Sequence, residues 1–319
     1  KFVCSLIFIW LSSLTIFAND KVLIDYSVAD SLKVVNLLEA VKSIGSDEPL
    51  PVFFGKQFLG VPYVSSTLEI GDYERLVVNL HQLDCTTFVE NVTALSICVR
   101  ENYSSFSDYC KILKKLRYWG GEIKNYTSRL HYFSWWGLDN QKKGFITEVS
   151  CGDSMFSATQ VLSVDYMTKN PHLYKHLSSN AFYRDSIRNY ENLYNGLKFS
   201  FLPKNRLKNS KDIISKIRSG DIIAIVTNKK GLDISHVGIA IWIKGKLHLM
   251  HASSLKKKVI IDDLTLHDYS IKFRYKGFPY CRILIDKLCQ TSNHCELLLL
   301  LFWLIIPVFL TNFAVIILI

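Results

Sequence analysis

The chain has 319 residues, of which 49% are hydrophobic, 13% aromatic and 21% charged, with 15 Gly and 7 Pro. That is ample material for one large core or two ordinary ones, and it is too aromatic for a disordered, collagenous or low-complexity chain. The net charge of +10 is carried largely by scattered Lys with no Arg-rich helix or basic–aromatic block, which argues against nucleic acid and suits acidic ligands.

Lys1 precedes the apolar run Phe2–Trp10, and the small Ala18 is followed by polar Asn19-Asp20. This pattern predicts a signal peptide over residues 1–18 and hence export to the periplasm or cell envelope. Cys4 lies before the apolar stretch, which disfavours a lipoprotein signal. Residues 20–287 contain no repeat or low-complexity linker and read as one domain.

From Asp84 onward, Phe88, Val92, Leu95 and Val99 recur at helical spacing, with Asp84 as N-cap and Leu83 and Phe88 as a hydrophobic staple. Glu90 is expected to face solvent on that helix, away from Cys85. Ser157–Asn195 is expected to form two helices broken near Asn170-Pro171. Short β-rich runs follow at Asp221–Thr227, Val237–Ile243, Lys246–Ala252, Lys258–Ile261 and Tyr280–Ile285. Helices followed by strands predict an α+β fold, its helical half packed on an antiparallel sheet. Leu297–Ile319 carries no charged residue and is long enough to cross the ~30 Å bilayer core, so it is either a membrane-associating helix or an unrelated tail.

The eight cysteines include no Cys-x-x-Cys pair, so no zinc site is expected. Cys98, Cys110, Cys151, Cys281, Cys289 and Cys295 read as buried thiols or occasional disulfides. Cys85 differs because it falls in the first turn of the Asp84 helix. Unpaired N–H groups and the helix dipole there should lower a thiol's pKa and ready it for acyl transfer. Packing is the plainer alternative for this residue.

His236 opens one strand and His251 lies near the end of the next. If the strands turn at Lys244-Gly245, Ile243 opposes Lys246, Trp242 faces Leu247, Ala240 faces Leu249, Gly238 faces His251 and His236 faces Ser253. Both histidines then share one sheet face as diagonal neighbours roughly 7–8 Å apart at Cα, and Gly238 leaves room for the His251 ring. The register holds only for a two-residue turn. A base and its orienter fit this arrangement, as would two half-exposed histidines. His172, His176, His248, His267 and His294 read as surface or packing residues.

Gly60-Val61-Pro62-Tyr63, Asp84-Cys85, Gly220-Asp221, Ser235-His236-Val237-Gly238 and His251-Ala252-Ser253 resemble, in order, the landmarks of the NlpC/P60 superfamily of papain-like cell-wall hydrolases. Within it, Leu83–Asn91, Arg129–Trp135 and Gly231–Gly238 resemble the DUF1460 family, the N-acetylmuramoyl-L-alanine amidase-like proteins. The likeness covers roughly residues 35–285. It implies Cys85 as nucleophile, His236 as general base, His251 as the residue orienting His236, and Tyr63 beside the nucleophile. The Cys85 N–H would serve the oxyanion. It further implies hydrolysis of the N-acetylmuramoyl-L-alanine bond of muropeptides, 1,6-anhydro forms preferred, with no metal or cofactor.

Arg129–Trp136 combines a guanidinium with four aromatic rings, so Arg129, His131, Tyr132 and Trp135 are candidates for a substrate wall. An aromatic-rich core segment is the alternative. Two other functions stay open: a γ-D-glutamyl-diaminopimelate endopeptidase of the same mechanism, and a non-catalytic wall-binding module. An endopeptidase would need carboxylates near the site for a free α-amine, and the sequence offers no obvious acidic cluster there. Oligomeric state is left open.

Overall fold

The computed structural model describes residues 23–43, 48–148, 156–207, 216–273, 277–278 and 280–283. The expected signal peptide at 1–18 and the hydrophobic stretch at 297–319 lie outside them, as do Cys151, Cys289, Cys295 and His294. Among the described residues, no helix is long and apolar enough to cross a membrane.

In chain order the helices are α1 (Val28–Ala40), α2 (Leu50–Lys56), α3 (Cys85–Arg100), α4 (Phe106–Arg117), α5 (Phe133–Lys142), α6 (Tyr166–Lys169), α7 (Lys175–Ser179), α8 (Ala181–Tyr194) and α9 (Leu266–Lys272). The strands are β1 (Ile24–Asp25), β2 (Leu76–Val77), β3 (Ile146–Glu148), β4 (Ala158–Val161), β5 (Lys198–Pro203), β6 (Ile222–Val226), β7 (Ile234–Ile243), β8 (Lys246–Ser253), β9 (Lys258–Thr265), β10 (Gly277–Phe278) and β11 (Tyr280–Ile283). β3-β11-β6-β7-β8-β9 form a six-stranded antiparallel sheet, and β10-β5-β4 a smaller one. The α+β expectation therefore holds. The Ser157–Asn195 expectation needs correction: its first part is the strand β4, and helices begin only at Tyr166. The break at Asn170-Pro171 is present, between α6 and a 3₁₀ turn at Pro171–Leu173.

α3 is the central element. Asp84 caps it reciprocally: its carboxylate accepts from Thr87 N–H at 2.8 Å, and the Thr87 hydroxyl accepts from Asp84 N–H at 2.9 Å. Every residue from Thr87 to Cys98 is buried, because α1, α2, α4, β7 and β8 all pack against this helix. A helix enclosed this way has no solvent face, which corrects the reading of Glu90. Its carboxylate is buried against Arg117 Nε at 2.7 Å, and Arg117 also donates to the Val77 carbonyl at 2.7 Å. Cys98 and Cys110 are buried free thiols.

The β7–β8 hairpin follows the register expected from its turn. Ile243 pairs with Lys246, Trp242 with Leu247 and Ala240 with Leu249, and the ladder continues to Ile239 and Met250. Lys244 (φ 48°) and Gly245 (φ 74°) both take positive φ, as a two-residue primed turn requires. One sheet face packs Val237, Ile239, Ile241, Met250 and Ala252 against the helical core. The other gathers Ala240, Leu247 and Leu249 with Leu266 and Tyr269. β9 runs past Ile261, where the sequence reading ended it. Its pairing with β8 is irregular, with Ile261 opposite Met250 but Thr265 opposite His248. Asp262, Asp263 and Leu264 occupy that bulge.

Candidate active site

Cys85 is the first residue of α3 and is half-buried. Its thiol faces the backbone N–H of Val237, the residue after His236 on β7. The expected low pKa is reversed. Burial pushes the thiol up to about 12 and the Asp84 carboxylate adds to the rise, outweighing the Val237 N–H, the Thr86 hydroxyl and the Cys85 N–H. The helix terminus does stabilise a thiolate, but by less than desolvation and the capping carboxylate oppose it. Tyr63 stands beside this thiol, held by a bridge of its backbone to Leu83. Burial, then Cys85 and Asp84, raise its phenol to about 12, so it is a neutral O–H donor.

His236 and His251 share one sheet face, as the alternation of the hairpin demands. His236 Nε2 lies 2.6 Å from His251 Nδ1, with the rings edge-on at 86°. Gly238 makes room for this contact: a Cβ there would meet the Met250 carbonyl at 2.8 Å and the His251 Cβ at 2.9 Å. Burial, reinforced by the neighbouring His251, lowers the His236 imidazole to about 3, with Asp262 opposing. Thiol and imidazole are thus both neutral across the ordinary pH range.

Sequence reasoning missed Asp262. The β9 bulge turns its carboxylate toward His251, with Oδ2 3.3 Å from His251 Nε2. Oδ1 accepts the Leu264 N–H at 2.9 Å. The available signal was an acidic pair directly after a strand run, on the strand next to that of His251. His236, His251 and Asp262 line a cavity of about 440 Å³ that also holds Asp263, Lys256, Lys272 and Tyr269. The expectation of no acidic cluster near the site is corrected by Asp262 and Asp263.

The aromatic segment is also corrected. Trp135 is fully enclosed by Trp119, Tyr132, Tyr190 and Tyr194. Tyr132 is buried and its hydroxyl donates to Glu191 at 2.7 Å. Arg129 is buried and spends its guanidinium on Glu69 and Glu74, both at 2.7 Å. His131 Nε2 lies 2.8 Å from the Tyr126 carbonyl, and burial followed by the Arg129 charge lowers its pKa to about 3. A ring or guanidinium committed to the core cannot also face a ligand, so these four do not form a wall. Phe133 and Trp136 of the same segment instead line a small cleft with Thr86, Leu130 and Val237, next to Cys85. Buried Asp233 ties this segment to β7, because its Oδ2 accepts the Ser134 N–H at 2.7 Å and its Oδ1 the Ile234 N–H at 2.8 Å.

A family model for N-acetylmuramoyl-L-alanine amidase-like proteins matches residues 53–276. The crystal structure of an N-acetylmuramoyl-L-alanine amidase from Bacteroides uniformis aligns with a TM-score of 0.69 and 37% identity, over 73% of this chain and 98% of that one. A Bacteroides fragilis protein carrying a provisional xylanase name aligns with a TM-score of 0.68 and 38% identity, over 72% of this chain and 99% of that one. A DUF1460 protein from Legionella pneumophila shares the fold at 22% identity and a TM-score of 0.60, over 80% of this chain and 95% of that one. No curated protein matches the chain.

Proposed function

Because the chain belongs to the N-acetylmuramoyl-L-alanine amidase-like family, we propose that it is a cysteine amidase of papain-like NlpC/P60 type, hydrolysing the N-acetylmuramoyl-L-alanine bond of muropeptides, 1,6-anhydro forms among them. The observation that carries this reading is the Cys85 thiol at the start of α3, set against the N–H that follows a paired histidine. His236 commits Nε2 to His251, and in this reading Nδ1 is the nitrogen that serves the thiol.

Attack couples two events. As Cys85 Sγ bonds to the lactyl carbonyl carbon, its proton passes to His236. The oxyanion takes the Cys85 N–H, and in this reading the neutral Tyr63 hydroxyl donates as well. The C–N bond breaks, His236 returns its proton to the L-alanine amine, and a thioester remains. Water activated by the same imidazole then releases the lactyl carboxylate and the free thiol. In this reading Phe133 takes over the sugar-facing role expected of Trp135, since it is half-buried and shares a cleft with Thr86, the residue after Cys85.

The test is incubation of the purified protein with disaccharide-tetrapeptides and mass analysis of the products. An intact stem peptide beginning with L-alanine is expected, and Cys85→Ala should abolish its release while the circular dichroism stays unchanged. Asp263 favours a second reading, because an exposed carboxylate in the cavity beside the histidines could hold the free α-amine an endopeptidase needs. Cleavage of a sugar-free tetrapeptide after its second residue, in preference to the disaccharide-peptide, would replace the amidase reading with this one. We also propose export to the cell envelope, resting on residues 1–18. N-terminal sequencing of the mature protein at residue 19 is the expected result.

A further inference from the structure

We infer that Asp262 is a positioning residue that fixes the direction in which protons are held along His251 and His236, so that His236 keeps Nδ1 unprotonated as its basic nitrogen. This rests on the cysteine-amidase reading above, but its main readout does not depend on turnover.

An ionised carboxylate only accepts hydrogen bonds. Burial raises the Asp262 pKa, but the His251 hydrogen bond, the Leu264 N–H and the Lys272 charge pull it below the usual carboxylate value, so the group is an anion. Its Oδ2 therefore takes a proton from His251 Nε2 across 3.3 Å. In its neutral form His251 carries one N–H, so with Nε2 donating its Nδ1 is bare and accepts. The partner 2.6 Å away is His236 Nε2, which then must be the protonated nitrogen. The remaining nitrogen, His236 Nδ1, is left with a lone pair. In this tautomer the imidazole can take a proton from a thiol; in the other it cannot.

The carboxylate is held for this task. Oδ1 accepts the Leu264 N–H at 2.9 Å, and the Asp262 carbonyl lies 2.9 Å from His248 Nδ1. The charged or titratable groups sharing the cavity are Asp263, Lys256, Lys272 and Tyr269, and the Tyr269 ring stands edge-on to His251 at 5.8 Å. Asp263 is exposed, and among the described residues no ion pair links it to either ring.

The Leu264 N–H also makes the decisive variant interpretable. In Asp262→Asn, that donor selects the amide oxygen for the Oδ1 position and leaves the NH₂ facing His251 Nε2. His251 must then accept at Nε2, donate from Nδ1, and force the proton of His236 onto Nδ1. The wrong tautomer at a base held by a neutral isostere costs up to about 10⁴-fold in kcat in the best-studied triad, and about 10²-fold or more is expected here, with KM and Tm little changed. The measurement is ¹⁵N–¹H correlation of the histidine side chains at pH 7, in wild type and Asp262→Asn, with kcat and KM for muropeptide alongside. The expected result is His236 protonated on Nε2 in wild type and on Nδ1 in Asp262→Asn, with kcat lost and KM kept. Wild-type His236 protonated on Nδ1 would overturn the inference without any variant. So would an Asp262→Asn protein that keeps its tautomer, whether or not its activity falls. If the tautomers behave as expected but neither protein cleaves muropeptides, the proton order stands and the substrate reading is what has failed.

Discussion

A thiol opening a helix is ordinarily acidic, yet at Cys85 desolvation and the Asp84 cap outweigh the N–H groups that would stabilise the anion. The free protein should therefore hold S–H and neutral imidazole, not a preformed ion pair. Inactivation by iodoacetamide reports the thiolate fraction, so its rate should climb about tenfold per pH unit from pH 6 to pH 10, with no plateau near neutrality. Asp84→Asn should raise the rate at pH 7 by removing the nearby charge while keeping an N-cap side chain. Trp135 tests the corrected wall. Enclosed on all sides, it contributes to the core, so Trp135→Ala should cost about 3–5 kcal/mol in urea unfolding. Partial activity in folded Trp135→Ala should fall equally on sugar-bearing and sugar-free substrates, whereas Phe133→Ala should impair the sugar-bearing ones selectively.

Elements differ in how legible they are, and the difference follows from how each is covered. The β7–β8 register could be read because two residues with positive φ at Lys244-Gly245 leave few ways to pair the strands. The start of α3 could be read from Asp84. Its faces could not, since a helix enclosed on both sides buries Glu90, Asn91, Thr93 and Ser96 along with its apolar residues. Three of these find partners on another element or an earlier turn: Glu90 in Arg117 of α4, Asn91 Nδ2 in the Thr87 carbonyl and Ser96 in the Val92 carbonyl, while the Thr93 hydroxyl has none among the described residues. Periodicity carries no information about such partners, and bulges like the one displaying Asp262 break the alternation that strand reading relies on. Glu90→Ala leaves the buried Arg117 charge uncompensated and should cost about 3–5 kcal/mol, measured by denaturant unfolding. Gly238→Ala should spare most of that stability but displace His251, so kcat should fall by more than Tm would suggest.

At the scale of the whole molecule, neutral histidines inside the fold make stability sensitive to acid. His131 and His236 keep folded-state values near 3, whereas an unfolded histidine titrates near 6.5. As pH falls below that unfolded value, the unfolded chain gains protons the folded chain refuses, so stability is lost between about pH 6.5 and pH 3. Buried Glu90, Glu191 and Asp233, whose pKa values are raised, act in the opposite sense, so the comparison should be differential. His131→Gln should lower Tm at pH 7, where it loses packing, and the gap to wild type should narrow or reverse by pH 4. The overall architecture was visible in the order of helices and strands, while the depth at which each histidine sits was not. The tight turn at Lys244-Gly245 has a reach beyond its own residues, since it begins eight residues from His236, roughly 27 Å along an extended strand. Its length acts as a parity count for the far end of the hairpin. Adding one residue there while the strands stay paired would exchange Met250 and His251 between the two faces, and adding two would restore the face but slide one imidazole past the other by about 7 Å. A protein altered this way would keep its composition and much of its fold while its proton chain was broken at a point that no substitution had touched.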